Sequence, residues 1–306
     1  MTIVLAADGP LDARATLARY HVWGEDPANH YDGAAFRRVL RLAGRRLPYE
    51  VRAEGGVEDA RLRIGISGGR GDAVAAAVTH EVRRIFGLDF DLPGFYRMAK
   101  GDPALGPLIE PLYGLRPSLA PTPFEMLVGS ITAQQVNLSF AFACRARLVR
   151  RFGEAMMLDG ATVYTFPEPQ ALARARVAQI RALKYSTRKA EYIRDLACAV
   201  RDGGLDLDGM AVAANAVVIE QLTALRGLGR WTADWFLARC FGRGDVCPAG
   251  DLAVRKAFDH YCGRGRRLAE VSIRRRARAW GPYQNLAVHY MLAGMRLAAR
   301  GGGGGS

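Results

Sequence analysis

Residues 217–251 read VVIEQLTALRGLGRWTADWFLARCFGRGDVCPAGD, and this stretch limits the fold more than any other. Val218, Leu222 and Leu225 recur at helical spacing, which predicts an amphipathic helix running into Arg226-Gly227-Leu228-Gly229-Arg230. A second helix, expected over 231–241, follows at once. Two glycines around one apolar residue between two helices predict a tight hairpin. The glycines allow positive φ and close backbone approach, and Leu228 plugs the space between the helices. Amides at the start of the second helix then point outward, where a phosphate oxygen fits a helix N-terminus. Such a site grips a backbone and reads no bases.

The rest of the chain divides in two. The 306 residues predict about two domains, taking roughly 150 residues for each. Within residues 1–100, Thr2–Ala6 is a strand candidate, Asp12–Tyr20 a short helix, and Phe36–Leu42 and Tyr49–Arg52 carry partial alternation. Arg61–Ser67 alternates cleanly, with Leu62, Ile64 and Ile66 on one face, as in a half-buried strand. Asp72 is the expected cap of a helix with apolar positions Val74, Val78, Val82 and Ile85, ended by Gly87. From about Phe95 the pattern is helical throughout. Thr122-Pro123-Phe124-Glu125 reads as a helix start, with Thr122 as N-cap, Pro123 first and Glu125 third. Further helices are expected near 137–152, 169–174, 177–183, 187–202, 216–225, 252–261, 267–278 and 281–298. The expected fold class is α+β: a small antiparallel-sheet α+β domain over 1–100 and an all-α domain over 101–300. GGGGGS at 301–306 reads as a linker or tag remnant.

Charge narrows the partners. Forty-three Lys and Arg face 30 Asp and Glu, a net charge of +13, and only Lys100, Lys184, Lys189 and Lys256 are lysines. GC-rich coding explains arginine over lysine but not the surplus, which favours a polyanion. No run of about 18 uncharged apolar residues exists, so no membrane span is expected, and the N-terminus lacks a basic signal region. The five cysteines (144, 198, 240, 247 and 262) are widely spread with no CxxC pair, as in reduced thiols of a cytosolic protein, and no metal cluster is expected.

LRGLGRWTADWFLARCF followed by PAGDLAVRKAF resembles the helix-hairpin-helix (HhH-GPD) DNA glycosylases, and within them the alkyladenine (3-methyladenine, type II) branch. PFEMLVGSITAQQVNLSFAFACRARLVRRFG and FPEPQALARARVAQIRALKYSTRKAEYIRDLA are similar to the family's earlier helices, and GPLDARATLARYHVWGEDP to its small, TBP-like sheet domain. The resemblance covers most of residues 1–298. It implies a monofunctional glycosylase that flips a damaged purine from double-stranded DNA, alkylated purines first, and leaves an abasic site in base excision repair. It also implies a Na⁺ or K⁺ held by hairpin carbonyls at 226–229; together with the cysteine pattern, the expectation is a monomer in the bacterial cytosol with no iron–sulfur cluster. Glycosylases for oxidised or deaminated purines, and a non-catalytic DNA-binding protein, are the alternatives.

The implied catalytic residue is Asp251. A carboxylate beside the sugar stabilises the cation that develops when an N-glycosidic bond breaks, and can orient water. Asp251 would equally serve as the N-cap of 252–261; Asp234 and Asp245 are weaker rivals. Strand-nicking relatives carry a Schiff-base lysine two residues past the hairpin's last glycine, and here that residue is Trp231. The resemblance assigns Arg226, Gly227, Leu228, Gly229, Arg230 and Thr232 to phosphate binding, and Trp231, Trp235, Tyr283 and His289 to the base pocket. His289 stands where the alkyladenine relatives often carry a stacking tryptophan. Gln134, Gln135 and Asn137 would fill the hole left by the flipped base, or merely cap helix ends. The run Arg264, Arg266, Arg267, Arg274, Arg275, Arg276 and Arg278, with Arg147, Arg150 and Arg151, contacts phosphate or forms solvated helix faces.

Overall fold

A computed structural model describes residues 1–301, with side chains described to residue 299. Of the expected linker only Gly301 falls within these, at the end of the last helix; residues 302–306 lie outside the described residues.

The chain opens with β1 (Thr2–Ala6), α1 (Ala13–Leu17), α2 (Arg19–Val22), β2 (His30–Tyr31), β3 (Ala35–Leu42), β4 (Arg45–Glu54), β5 (Arg61–Ile66) and α3 (Asp72–Ile85). The strands form an antiparallel sheet of order β1-β5-β4-β3-β2. Alternation decides its faces: Leu62, Ile64 and Ile66 point inward with Phe36, Tyr49 and Val51, against Val74, Val78, Val82 and Ile85 of α3. The α3 cap differs from expectation. Gly71, at φ 100°, occupies the cap position and Asp72 is the first helical residue.

The helical part comprises α4 (Leu92–Ala99), α5 (Gly106–Ile109), α6 (Pro123–Ala133), α7 (Leu138–Phe152), α8 (Pro169–Arg174), α9 (Val177–Arg181), α10 (Thr187–Arg201), α11 (Asn215–Thr223), α12 (Arg230–Arg239), α13 (Leu252–Tyr261), α14 (Glu270–Arg278) and α15 (Gln284–Gly301). It is not helical throughout. A hairpin of β6 (Ala155–Leu158) and β7 (Ala161–Tyr164) interrupts it and packs through Leu158 and Val163 onto Val39 of β3. Its turn, Asp159-Gly160, has φ 47° and 78°, the two positive values that such a tight hairpin demands.

Two helical cores form. One joins α6 to α12; the other joins α13 to α15 with α4, whose Leu92, Phe95 and Ala99 the sequence groups with the sheet domain. Trp235 packs on both, so α12 marks the seam between them. Fully buried Arg116 ties the sheet domain to the helices with donors to the carbonyls of Asp8, Pro10, Gly87, Leu88 and Phe90.

A buried ionic cluster fixes α6 to the sheet. Arg38 of β3 donates to Glu81 at 3.0 Å and to Glu125 at 2.9 Å. Arg145 of α7 donates to Glu125 at 2.6 Å and to Asp26 at 2.9 Å. Asn29 adds a bond to Glu125 at 2.7 Å, and Tyr49 one to Glu81 at 2.8 Å. Thr122 caps α6 by accepting from the Glu125 amide, as expected, while the Glu125 side chain turns into this cluster. Burial alone would raise the Glu125 carboxyl, but Arg38, Arg145 and Asn29 outweigh it and hold it below the ordinary value.

Two outcomes follow for stability. Glu125→Ala leaves Arg38 and Arg145 short of a buried partner and should cost about 3–5 kcal/mol in urea denaturation, whereas Arg63→Ala, which breaks only an exposed pair, should leave the midpoint nearly unchanged. Because the Glu125 carboxyl is lowered in the folded state, its contribution is present above the ordinary value of 4.5 and is lost as pH falls through the lower folded value. Stability profiles between pH 6 and 3 should therefore fall more steeply for wild type than for Glu125→Gln.

Candidate active site

Asp251 is the N-cap of α13. Its Oδ1 accepts from the amides of Ala253 at 2.8 Å and Val254 at 3.0 Å. Its Oδ2 accepts from the indole Nε1–H of Trp231 at 2.7 Å and of Trp235 at 3.2 Å. The two tryptophans lie one turn apart on α12, so both donors reach one oxygen. Four donors on two helices thus hold one half-buried carboxylate in a single orientation at the seam of the two cores.

The rival aspartates have other duties. Asp234 is 2% exposed and is held between Arg230 and Arg274, each at 2.8 Å. Asp245 accepts from Asn215 at 3.0 Å.

The hairpin between α11 and α12 is built as its sequence requires. Gly227 has φ +89°, and a Cβ there would lie 2.3 Å from the Tyr192 ring. Gly229 has an ordinary extended backbone, and a Cβ there would meet nothing within 4 Å, so open space lies in front of it. Leu228 is 5% exposed and packs into the core. Arg226 pairs with Glu191 and stacks over Tyr192, while Arg230 pairs with Asp234. Thr232 is 1% exposed: its side chain faces the core side of α12, which leaves its first-turn backbone amide as the group it would offer a phosphate.

The remaining expected residues scatter. Gln134 turns its amide to the Gly227 carbonyl at 2.8 Å, locking the α6–α7 loop to the hairpin. Asn137 caps α7 by accepting from the Phe140 amide at 2.8 Å, the structural role weighed from sequence. Gln135 is exposed at the loop tip with φ 54°, a backbone state that costs a non-glycine residue of order 1–3 kcal/mol. Tyr283 and His289 are not among the groups that hold Asp251. The Tyr283 hydroxyl donates to Asp91, the cap of α4, at 2.8 Å. His289 faces Arg239 on the neighbouring helix, with Nδ1 and Nη2 2.8 Å apart. Arg239 in turn lies over Trp235, its guanidinium carbon 5.4 Å from the ring centre.

Of the arginine run, Arg274 is engaged by Asp234 and Glu270, and Arg276 by Asp102. Arg264, Arg266, Arg267, Arg275 and Arg278 are exposed, as are Arg255 and Lys256 on α13. Arg150 pairs with Glu25. Among the described residues no group of three or more His, Cys, Asp or Glu could hold a metal ion. No described helix is long and apolar enough to cross a membrane.

Three features had no signal in the sequence: Tyr192 beneath Gly227, the Gln134–Gly227 bond, and the Arg239–His289 pair. Each joins residues far apart in the chain, and none belongs to a periodic pattern. The hairpin geometry also sets an expectation. Gly227→Ala meets both positive φ and the Tyr192 ring, and should lower the melting temperature by an amount equivalent to about 1–3 kcal/mol, whereas Gly229→Ala should change it by less than about 0.5 kcal/mol.

The comparisons with known proteins agree with this geometry. Residues 128–282 match the model of the HhH-GPD superfamily base excision DNA repair protein. A DNA-3-methyladenine glycosylase of Bacillus subtilis is 30% identical over 206 residues, covering 67% of this chain and 68% of the relative. DNA-3-methyladenine glycosylase 2 of Escherichia coli is 31% identical over 228 residues, covering 74% of each. The 3-methyladenine DNA-glycosylase structure from Archaeoglobus fulgidus superposes with a TM-score of 0.86 at 25% identity, covering 96% of this chain and 98% of that one. With the hairpin, the following helix and the aspartate in one frame, the chain belongs to the HhH-GPD superfamily of base excision DNA repair proteins.

Proposed function

We propose that the protein is a monofunctional DNA glycosylase that releases alkylated purines from double-stranded DNA and leaves an abasic site. The observation that carries this reading is the Asp251 carboxylate, held by two backbone amides and two indoles beside the hairpin. A purine inside a duplex must be flipped out, at a cost of a few kcal/mol. As the C1′–N bond breaks, its electron pair leaves on the base and positive charge grows on the sugar. Asp251 faces that charge, and takes a proton from the water whose oxygen bonds to C1′. Alkylated purines already carry positive charge, so one carboxylate meets the need. Relatives named DNA-3-methyladenine glycosylases, such as those of Bacillus subtilis and Escherichia coli, support the same substrate class.

Trp231 occupies the position at which a nicking relative needs an amine, so no Schiff base forms and the strand stays whole. The first-turn amides of α12 and the open space before Gly229 suit a backbone phosphate. Exposed Arg255, Lys256, Arg264, Arg266 and Arg267, on and just after α13, add positive charge, which makes binding fall steeply with salt. Gln135, exposed and strained at the loop tip, is the group we assign to the space vacated by the flipped base. Of the hairpin carbonyls, Gly227 accepts from Gln134 and Gly229 from the Ala233 amide, so a monovalent cation would use those of Arg226 and Leu228 and bring positive charge to the phosphate. All these groups lie on one chain, so the site needs no second copy and the protein would act as a monomer.

The test is direct. Methylated duplex DNA is incubated with the protein, free bases are identified by mass spectrometry, and the strand is run on a denaturing gel before and after alkali. The expected result is release of 3-methyladenine or 7-methylguanine with breaks appearing only after alkali. Breaks before alkali would refute the monofunctional assignment, and no released base would refute the reaction.

A further inference from the structure

An ionic link joins the start of α12 to the turn that presents Asp251. Asp234 sits inside α12, where an aspartate is a poor helix former, and a buried carboxylate is costly unless paired. Its two oxygens take different arginines. Oδ1 accepts from Nε of Arg230, the first residue of α12, at 2.8 Å. Oδ2 accepts from Nη2 of Arg274 on α14, also at 2.8 Å. Arg274 uses its other nitrogens on two further elements. Its Nη1 donates to the Cys247 carbonyl at 3.2 Å, and its Nε to Glu270 at 3.0 Å. Cys247 opens the turn that ends at Asp251. The Cys247 carbonyl also accepts from the Ala249 amide at 2.8 Å, and the Pro248 carbonyl from the Asp251 amide at 3.0 Å. Glu270 lies along the same turn, since a Cβ at Gly250 would sit 3.6 Å from its carboxylate. A planar guanidinium with donors in fixed directions holds three elements in one geometry, which an ammonium does not.

Resting on the function proposed above, we infer that Arg274 and Asp234 are positioning residues that hold the Asp251 carboxylate in register with the phosphate-gripping hairpin. The substrate sets the need. Within one nucleotide the backbone phosphate and C1′ are joined through a few covalent bonds, so a hairpin that grips the phosphate and a carboxylate that faces C1′ must keep one spacing. Trp231 and Trp235 orient Oδ2 of Asp251 from α12, but only after the turn has been brought to that helix. Arg274 brings it there. One guanidinium holds the turn through Nη1 and α12 through Nη2. Arg230 stands at the phosphate end of the link. It meets Asp234 through Nε alone and its side chain is 54% exposed, which leaves its two Nη groups for DNA. A displacement of about 1 Å at a reacting group can cost on the order of 10²-fold in rate. Arg274 and Asp234 act through Asp251 and touch no reacting atom.

The experiment pairs the single-turnover rate of 3-methyladenine release with NMR of the indole N–H groups in protein carrying isotope-labelled tryptophan. The chain has four tryptophans, and substituting phenylalanine for each in turn assigns the four signals. Trp231 and Trp235 report on Asp251. Trp280 donates to Asp102 at 2.7 Å and reports on the packing around α14 without involving Arg274. In Arg274→Met the Trp231 and Trp235 signals should move toward their positions in Asp251→Asn, while the Trp280 signal stays. The rate should fall at least about tenfold, with affinity for abasic duplex within about twofold of wild type. Arg274→Lys should recover part of both changes, and Asp234→Asn, which keeps one acceptor, should show smaller ones. Arg276→Gln, on the same helix, removes a second donor to Asp102 and should move the Trp280 signal while leaving the rate within about twofold. If Arg274→Met does not fold, Arg274→Lys and Asp234→Asn carry the test. A wild-type rate with wild-type Trp231 and Trp235 signals would overturn the inference. Movement of all four signals together would also overturn it, since that is the mark of a general packing role. Release of no base by the wild-type protein would overturn the proposed function, and the indole signals would then still decide whether Arg274 places the carboxylate.

Discussion

Glu125 holds the molecule in register. Its carboxylate sits between Arg38 of the sheet and Arg145 of α7, at the first turn of α6. Burying those charges is worthwhile only because each finds partners: Glu81, Asp26 and Asn29 complete the set. With α6 fixed at one end, its other end delivers Gln134 to the Gly227 carbonyl. The hairpin so located starts α12, and α12 carries Trp231 and Trp235 to Asp251. An interdomain ion cluster is thus connected, through one helix and one amide, to the geometry of the carboxylate.

Asp251 shows why capping and chemistry need not compete. A carboxylate has two oxygens, and here each has its own task. Oδ1 satisfies the orphan amides at the start of α13, and Oδ2 meets the two indoles. Trp235 likewise combines roles, packing on both cores while it orients the acid together with Trp231. A phenylalanine at either position would keep the packing and lose a donor.

Much of this was legible in the sequence because it is local. The glycine spacing at 227 and 229, the Thr122-Pro123 helix start and the alternation over 61–67 each follow from backbone preferences within a few residues. Asp159-Gly160 carried the hairpin signal too, but the strands beside it have only four residues each and little alternation. What the sequence withheld is pairwise and distant. Thr232 belongs to the buried face of its helix, which depends on how α12 rotates against its neighbours. The meeting of His289 with Arg239 depends on helix packing in the same way. Gln134 and Asn137 look alike in sequence, yet one bridges to the hairpin and the other caps its own helix.

The central claim is that Asp251 acts on the substrate and does not merely cap α13. Asn at the N-cap is nearly as good as Asp, so Asp251→Asn separates the two. The decisive measurement is the single-turnover rate of base release by this variant, with its melting temperature and affinity for abasic duplex measured alongside. The account predicts that Asn keeps the cap through its one amide oxygen and loses some stability where its NH2 meets the two indole donors, that abasic duplex is still bound, and that the rate falls by about two orders of magnitude or more. A rate equal to wild type would contradict it and leave Asp251 a cap.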